Sequence, residues 1–332
     1  MAENWIDGKV ILVTGGTGSF GRKFTEIVLQ RFQPRKLIIF SRDELKQYEM
    51  RKQFPEDRYP AMRYFIGDVR DRERLSRAFD GVDVVVHAAA LKQVPTAEYN
   101  PLEAIKTNIM GAANIIDMAI DRHVSRVVAL STDKAVNPIN LYGATKLAAE
   151  KLFVAGNSYV GGGPTRFAVV RYGNVMGSRG SVVPLFMELK KSGRLPVTDL
   201  RMTRFWITLE QGVELVLNSL QWMQGGEIFV PKIPSMRVSD LARAIGPECE
   251  IDVIGIRPGE KLHEVLVTED EARNTVENGT HFTILPEYAS LNPAGYRMAS
   301  EGQRCPEDFR YSSDNNPQWL SIDEMRAMLG LS

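Results

Sequence analysis

The stretch Gly8-Lys-Val-Ile-Leu-Val-Thr-Gly-Gly-Thr-Gly-Ser-Phe-Gly21 decides how the rest of this 332-residue chain is read. Its apolar block at residues 10–13 is bounded by glycines, as in a strand buried on both faces of a parallel sheet. Phe20, Phe24, Ile27, Val28 and Phe32 follow at spacings of mostly three and four, which places them on one face of a helix beginning near Ser19. A glycine turn between a strand and its helix carries more meaning than the same glycines elsewhere. Gly15, Gly18 and Gly21 lie three apart, and Gly16, Gly18 and Gly21 also satisfy GxGxxG. Missing side chains there permit a tight turn, close approach of a pyrophosphate and close helix packing. The helix amides and dipole would face the phosphates.

Working outward, strand-like blocks recur at residues 36–40, 63–66, 82–87, 126–130 and 167–171, separated by amphipathic segments of helix length. Alternation of this kind predicts an α/β fold, an open doubly wound parallel sheet of the Rossmann type over about the first 175 residues. Past residue 175 the pattern loosens, with Gly177, Gly180, Pro184, Gly193 and Pro196 marking loops before a helix at 209–223 and a short strand at 227–231. The expected division is a dinucleotide-binding domain at 1–175, to which 205–231 returns. Residues 176–204 and 232–332 then form a smaller interwoven substrate lobe and tail. Residues 269–302 carry little periodicity.

Composition narrows the function. Basic and acidic residues number 41 each, so the formal charge is zero and nothing draws the whole chain toward nucleic acid or an anionic membrane. A hydrophobic share of 44% with 25% charged residues excludes a disordered or low-complexity chain. Cys249 and Cys305 stand far apart without a CxxC, and His87, His123, His263 and His281 lack metal-ligand spacing, so neither a disulfide framework nor a metal site is expected. The apolar runs fall far short of the ~20 residues of a membrane span. Residues 1–7 lack the basic and apolar regions of a secretory signal, which makes cytoplasm the expected location.

The second strand ends Phe40-Ser41-Arg42, where many dinucleotide sites carry an acid for the adenosine ribose. A hydroxyl and a guanidinium suit a 2′-phosphate, so NADP is predicted over NAD. The plain alternative is that Arg42 is a solvated helix-start residue. Gly67-Asp68-Val69 and Ala88-Ala89-Ala90 lie at strand ends, where an adenine and a nicotinamide ribose could rest.

Tyr142 and Lys146 are four residues apart and share a helix face. An ammonium nearby would lower the phenol's pKa and let Tyr142 take a hydroxyl proton while hydride leaves for a nicotinamide. YxxxK alone is weak. With the glycine turn and a strand ending Ser131-Thr132 it becomes strong.

Together these residues resemble the extended short-chain dehydrogenase/reductase superfamily over nearly the whole chain. The resemblance gives Thr132 the task of polarising the substrate hydroxyl and makes Asn108 a structural and proton-relay candidate. Sugar-nucleotide 4,6-dehydratases of this group carry Thr-Asp-Glu where this chain reads Thr132-Asp133-Lys134. Dehydration removes hydride from C4, a proton from C5 and the C6 hydroxyl, then returns hydride to C6. Asp133 fits the acid that protonates the departing hydroxyl and Lys134 the base at C5. Such a lysine must be neutral when it acts, and its pKa is expected to be depressed by burial or neighbouring positive charge, Lys146 included.

Ser41-Arg-Asp-Glu-Leu-Lys46, Ala88-Ala-Ala-Leu-Lys92, Ser131-Thr-Asp-Lys134, Asn137-Pro-Ile-Asn-Leu-Tyr-Gly-Ala-Thr-Lys146 and Arg171-Tyr-Gly-Asn-Val175 are similar to the inverting UDP-N-acetylglucosamine 4,6-dehydratase family. That resemblance implies dehydration with inversion at C5 to a 4-keto-6-deoxy-L-arabino sugar, the first step of pseudaminic acid synthesis for flagellin glycosylation. It also implies a homo-oligomer, of which a hexamer is one form. The cofactor contacts it implies are Gly15, Thr17, Gly18, Ser19, Phe20 and Gly21 of the turn. Ser41, Arg42, Asp68, Val69, Ala88, Ala89, Lys92, Asn108, Tyr142 and Lys146 complete that set. For the UDP-sugar it implies Lys92 and Asn174 at the sugar, then Arg179, Gly180, Ser181, Val182 and Thr203, with Arg257 and Glu260 toward the UDP portion. Many members carry His after the lysine of Ala-Leu-Lys, where this chain has Gln93. A C4 epimerase, a C5-retaining dehydratase and a catalytically silent NADP-sensing regulator are the competing readings.

Overall fold

A computed structural model describes residues 5–178, 180–287 and 301–331. Six parallel strands build the main sheet: β1 (Val10–Thr14), β2 (Lys36–Ser41), β3 (Met62–Ile66), β4 (Val84–His87), β5 (Arg126–Thr132) and β6 (Arg166–Tyr172), in the order 3-2-1-4-5-6. All residues of β1 and β4 are buried, which explains why they read as unbroken apolar runs. The order reverses between β1 and β4, and ligands of open α/β sheets bind in the crevice beyond the carboxyl ends of the strands at such a point. Thr14, Ala88, Ser131 and Thr132 all lie there.

Ile228–Pro231 continues the sheet parallel to β6. Three short antiparallel strands, His281–Ile284, Thr275–Glu277 and Gln303–Arg304, then extend the same edge. Sequence assigned those residues to the second lobe and tail, and the structure corrects this. Strands of two to four residues are too short for a period-two pattern to stand out from chance.

Helix Ser19–Arg31 buries Phe24, Ile27 and Val28 against the sheet. Helix Leu141–Tyr159 starts at Asn140, whose side chain accepts from the Gly143 amide. A second buried cluster sits apart from the sheet's core and gathers Phe186, Leu195, Trp206, Met236, Leu241, Ile245 and Met325. Strand Thr203–Ile207 divides the two cores by its alternation, Phe205 and Ile207 facing the first and Trp206 the second. Among the described residues no helix is long and apolar enough to cross a membrane.

Candidate active site

The glycine turn has the geometry a dinucleotide needs. Gly15 has φ +62°, and a Cβ there would sit 2.9 Å from the Ala89 Cα. A Cβ on Gly21 would lie 2.3 Å from the Gly16 carbonyl oxygen, so helix and turn touch backbone to backbone. Gly18, as N-cap, brings no capping side chain, and the first helical turn holds no acid. An anion therefore meets neither bulk nor repulsion there.

At the end of β2, Ser41 is buried and its hydroxyl and carbonyl accept from Gln47, at 3.2 and 2.9 Å. Arg42 is half-exposed and reaches Asp68 at 3.6 Å. Asp43 caps the next helix by accepting from the Lys46 amide at 3.0 Å and pairs with the Lys46 ammonium. Burial raises the Asp68 carboxyl, but hydrogen bonds from Arg70 outweigh it and hold it below its ordinary range. Val69 is buried beside Gly111, and Ala89 donates its amide to Thr14 Oγ1 at 3.3 Å.

Asn108 is 2% exposed, and its carboxamide is fully engaged. Its oxygen accepts from the Leu91 amide at 2.8 Å, and its nitrogen donates to the Leu91 carbonyl and to Thr145 at 2.9 and 3.0 Å. Asn108 thus ties the Ala88–Lys92 segment to helix Leu141–Tyr159. Inside that helix Lys146 donates to the Leu130 carbonyl at 2.6 Å, and burial lowers its pKa to about 8 against the raising effect of Glu150.

Tyr142 is buried, and burial raises its phenol to about 12 although Lys134 and a hydrogen bond with Thr132 act the other way. The expected depression of this phenol does not occur in the protein alone. The cation that acts against burial here is Lys134. Gly143 explains how close these groups are: a Cβ there would lie 2.1 Å from the Lys134 carbonyl oxygen, so only glycine lets the helix seat against the Asp133–Ala135 turn.

Asp133 is completely buried. Its Oδ1 accepts from Thr132 at 2.9 Å and Lys134 at 3.0 Å, while Oδ2 has no hydrogen-bond partner. The Lys134 amine also faces Asn174 Oδ1 at 3.4 Å and Glu264 Oε1 at 3.5 Å, with 28% of the side chain exposed. The pair is therefore no surface ion pair. In the protein alone the expected depression of Lys134 does not occur. Burial pushes the amine down, but the Asp133 and Glu264 carboxylates outweigh burial and the Arg204 charge, and the group is held as an ammonium.

The substrate candidates of the second lobe are only partly brought together. Asn174 joins the Lys134 group. Gln93 packs on Gly180, where a Cβ would lie 2.5 Å from its Nε2, so the departure at position 93 stands beside a sugar-contact candidate. Ser181 caps the helix from Val182 without a side-chain bond, its hydroxyl buried and unpartnered. Arg257 and Glu260 pair within their own loop, and Arg179 lies outside the described residues. The Thr203 hydroxyl lies 2.8 Å from His263 and 2.6 Å from Ser313, at a cavity it lines with Arg201 and Arg237. Strand alternation turns the next residue, Arg204, the other way, 3.8 Å from Glu264. Glu264 escaped sequence reading, and Arg204 and Gly143 were given no role of their own there. A buried-strand arginine and an acid three residues after Lys261 were the signals available.

The comparisons with known proteins fit this geometry. A family described as polysaccharide biosynthesis protein matches residues 11–286. A UDP-N-acetylglucosamine 4,6-dehydratase (inverting) of Campylobacter jejuni is 55% identical over 96% of both chains. A UDP-glucose 4-epimerase of Rickettsia akari is 41% identical over 97% of this chain and 95% of its own. Among solved structures, Pen from Bacillus thuringiensis superposes with a TM-score of 0.88 at 38% identity, covering 99% of this chain and 100% of that one. With its doubly wound sheet, glycine turn and Tyr142–Lys146 helix, the chain belongs to the polysaccharide biosynthesis protein family, on the extended short-chain dehydrogenase/reductase fold and in company with the inverting UDP-N-acetylglucosamine 4,6-dehydratases.

Proposed function

We propose that the protein is a hydro-lyase that dehydrates UDP-N-acetylglucosamine across C5 and C6 with inversion at C5, holding NADP in the glycine turn. The observation that carries the reading is the Asp133–Lys134 pair, buried at its carboxylate end beside Tyr142. An epimerase needs only a proton taken from and returned to the C4 hydroxyl, a task Tyr142 and Thr132 cover. A second acid–base pair in the same pocket has work to do only if a bond at C5 or C6 breaks.

Gly15, Gly18, Gly21 and the start of helix Ser19–Arg31 would hold the pyrophosphate, Arg42 with Ser41 the adenosine 2′-phosphate, and Lys146 the nicotinamide ribose. Bound there, the nicotinamide supplies a hydride acceptor for C4 and a hydride donor for C6, with no net consumption. Tyr142, hydrogen-bonded to Thr132, takes the C4 hydroxyl proton. Its high phenol pKa in the free protein means a further positive charge must enter the pocket before it acts as a base. Once Lys134 has lost its proton to solvent, the neutral amine takes the C5 proton and passes it to Asp133 Oδ1, 3.0 Å away, which delivers it to the leaving C6 hydroxyl as water departs. Because Lys134 begins as an ammonium, the rate of C5 proton loss should rise with pH. The reading carries with it the pseudaminic acid and flagellin role implied by the resemblance, and NADP over NAD. Arg42→Ala should weaken NADP binding by about tenfold or more and leave NAD binding nearly unchanged.

The test is NMR of the product formed from UDP-N-acetylglucosamine in heavy water. Loss of water with solvent deuterium at C5 and L-arabino stereochemistry is expected. A 4-epimer without deuterium would overturn dehydration, and a D-configured product would favour the C5-retaining reading.

A further inference from the structure

Glu264 belongs to none of the motifs above, yet among the described residues it is the acid that reaches the Lys134 amine from the C-terminal half. Its backbone is fixed in both directions: its amide donates to Ser313 Oγ at 2.9 Å, and its carbonyl accepts from the Ser313 amide at 2.8 Å. Its side chain is 2% exposed. Around it stand Lys134 at 3.5 Å from the turn after β5, Arg204 at 3.8 Å from strand Thr203–Ile207, and Lys261 at 3.7 Å from its own loop. Asp133 faces the same amine from the other side. We infer that Glu264 is a positioning residue for C5 proton abstraction, the second anchor of the Lys134 amine.

An ammonium has three donors, and three oxygens surround this one: Asp133 Oδ1 and Asn174 Oδ1 accept at 3.0 and 3.4 Å, and Glu264 Oε1 makes an ion-pair contact at 3.5 Å. A long flexible side chain is thereby held in one place. The neutral amine keeps two N–H groups and gains a lone pair, so one acceptor must be given up. Glu264 makes the longest of the three contacts and is the one released. When the C5–H bond breaks, its electron pair moves into the C4 carbonyl system and then expels the C6 hydroxyl, while the proton forms a new bond to Lys134 Nζ. The ammonium so re-formed again finds the Glu264 carboxylate, which stabilises charge as it develops.

This inference rests on the dehydratase reading, and the experiment separates the two. Exchange of solvent deuterium into C5 and transient nicotinamide reduction, which reports C4 oxidation, are followed against pH for wild type, Glu264→Gln and Glu264→Asp. Removing an opposite charge at this range should move the acid limb of C5 exchange to lower pH by about one unit or more. The plateau should fall about tenfold, with C4 oxidation little changed. Glu264→Asp, which keeps the charge one methylene further back, should shift the limb the same way by less, and it carries the test if the glutamine variant does not fold. An unmoved limb, or C4 oxidation and C5 exchange falling in parallel, overturns the positioning role. Absence of C5 exchange in wild type instead overturns the functional reading itself.

Discussion

Two buried clusters of charge join the sheet to the C-terminal segment, and they are built differently. In the first, Arg171 is 1% exposed and each of its five N–H groups has an acceptor. Glu150 receives two at 3.2 and 2.7 Å, Glu271 two at 3.0 and 2.9 Å, and the Leu266 carbonyl one at 2.8 Å. In the second, around Lys134, the charged contacts run from 3.0 to 3.8 Å, and Asp133 Oδ2 has no hydrogen-bond partner. Burial of charge is common to both, so burial does not distinguish a site from a strut. Completeness of pairing does. The closed cluster has nothing left to offer a ligand, whereas the open one keeps acceptors and a movable proton in a place where field effects are strong.

The contrast can be broken most directly at Lys134. Lys134→Ala should lower turnover by about 10²- to 10⁴-fold and abolish C5 exchange, while costing less stability than any change in the closed cluster. Steady-state kinetics beside urea unfolding measures both. Arg171→Met leaves Glu150 buried without its counter-ion and should cost about 3–5 kcal/mol of folding stability. A urea midpoint matching wild type would remove the distinction between the clusters. Gly143→Ala sharpens it from the backbone side. The added methyl must displace the helix or the Lys134 carbonyl, so activity should fall by at least tenfold with a smaller loss of stability than Arg171→Met, since a misplacement of about 1 Å can cost 10²-fold.

The smallest effect concerns a third buried polar contact, closed like the first: Thr14 Oγ1 lies 2.8 Å from His87 Nδ1. Burial, helped by the Lys146 charge, lowers His87 from 6.5 to about 3. Between those values the unfolded chain binds a proton that the folded one refuses, so stability falls as pH drops from about 6.5 toward 3. Thermal melts at stepped pH should show a shallower slope there for His87→Gln than for wild type. Identical slopes would mean that His87 is protonated in the fold.

Much of the candidate site was legible residue by residue. The glycine turn, the strand ending at Thr132 and the Tyr142–Lys146 face are local patterns, and the structure places them at one end of the sheet. The surroundings of Thr203 were beyond a sequence reading: its hydroxyl lies against His263 and Ser313, and the neighbouring Arg204 is the residue that approaches Glu264. The edge strands at 275–304 were missed because they are held by pairing with neighbours, not by their own periodicity. Charge state was the furthest from reach: Lys134 and Asp133 were correctly singled out as neighbours, yet the amine's protonation depends on Glu264 as well.

Sequence alone determined the parallel sheet, the glycine turn and the candidate side chains for the reaction, because backbone freedom, helix spacing and apolar runs are properties of adjacent residues. Only the tertiary structure decided which groups surround the Lys134 amine and whether it carries its proton. Electrostatic energy sums over neighbours in space, and those neighbours come from the turn after β5, strand Thr203–Ile207 and the segment before Val265, which nothing in the linear order brings together.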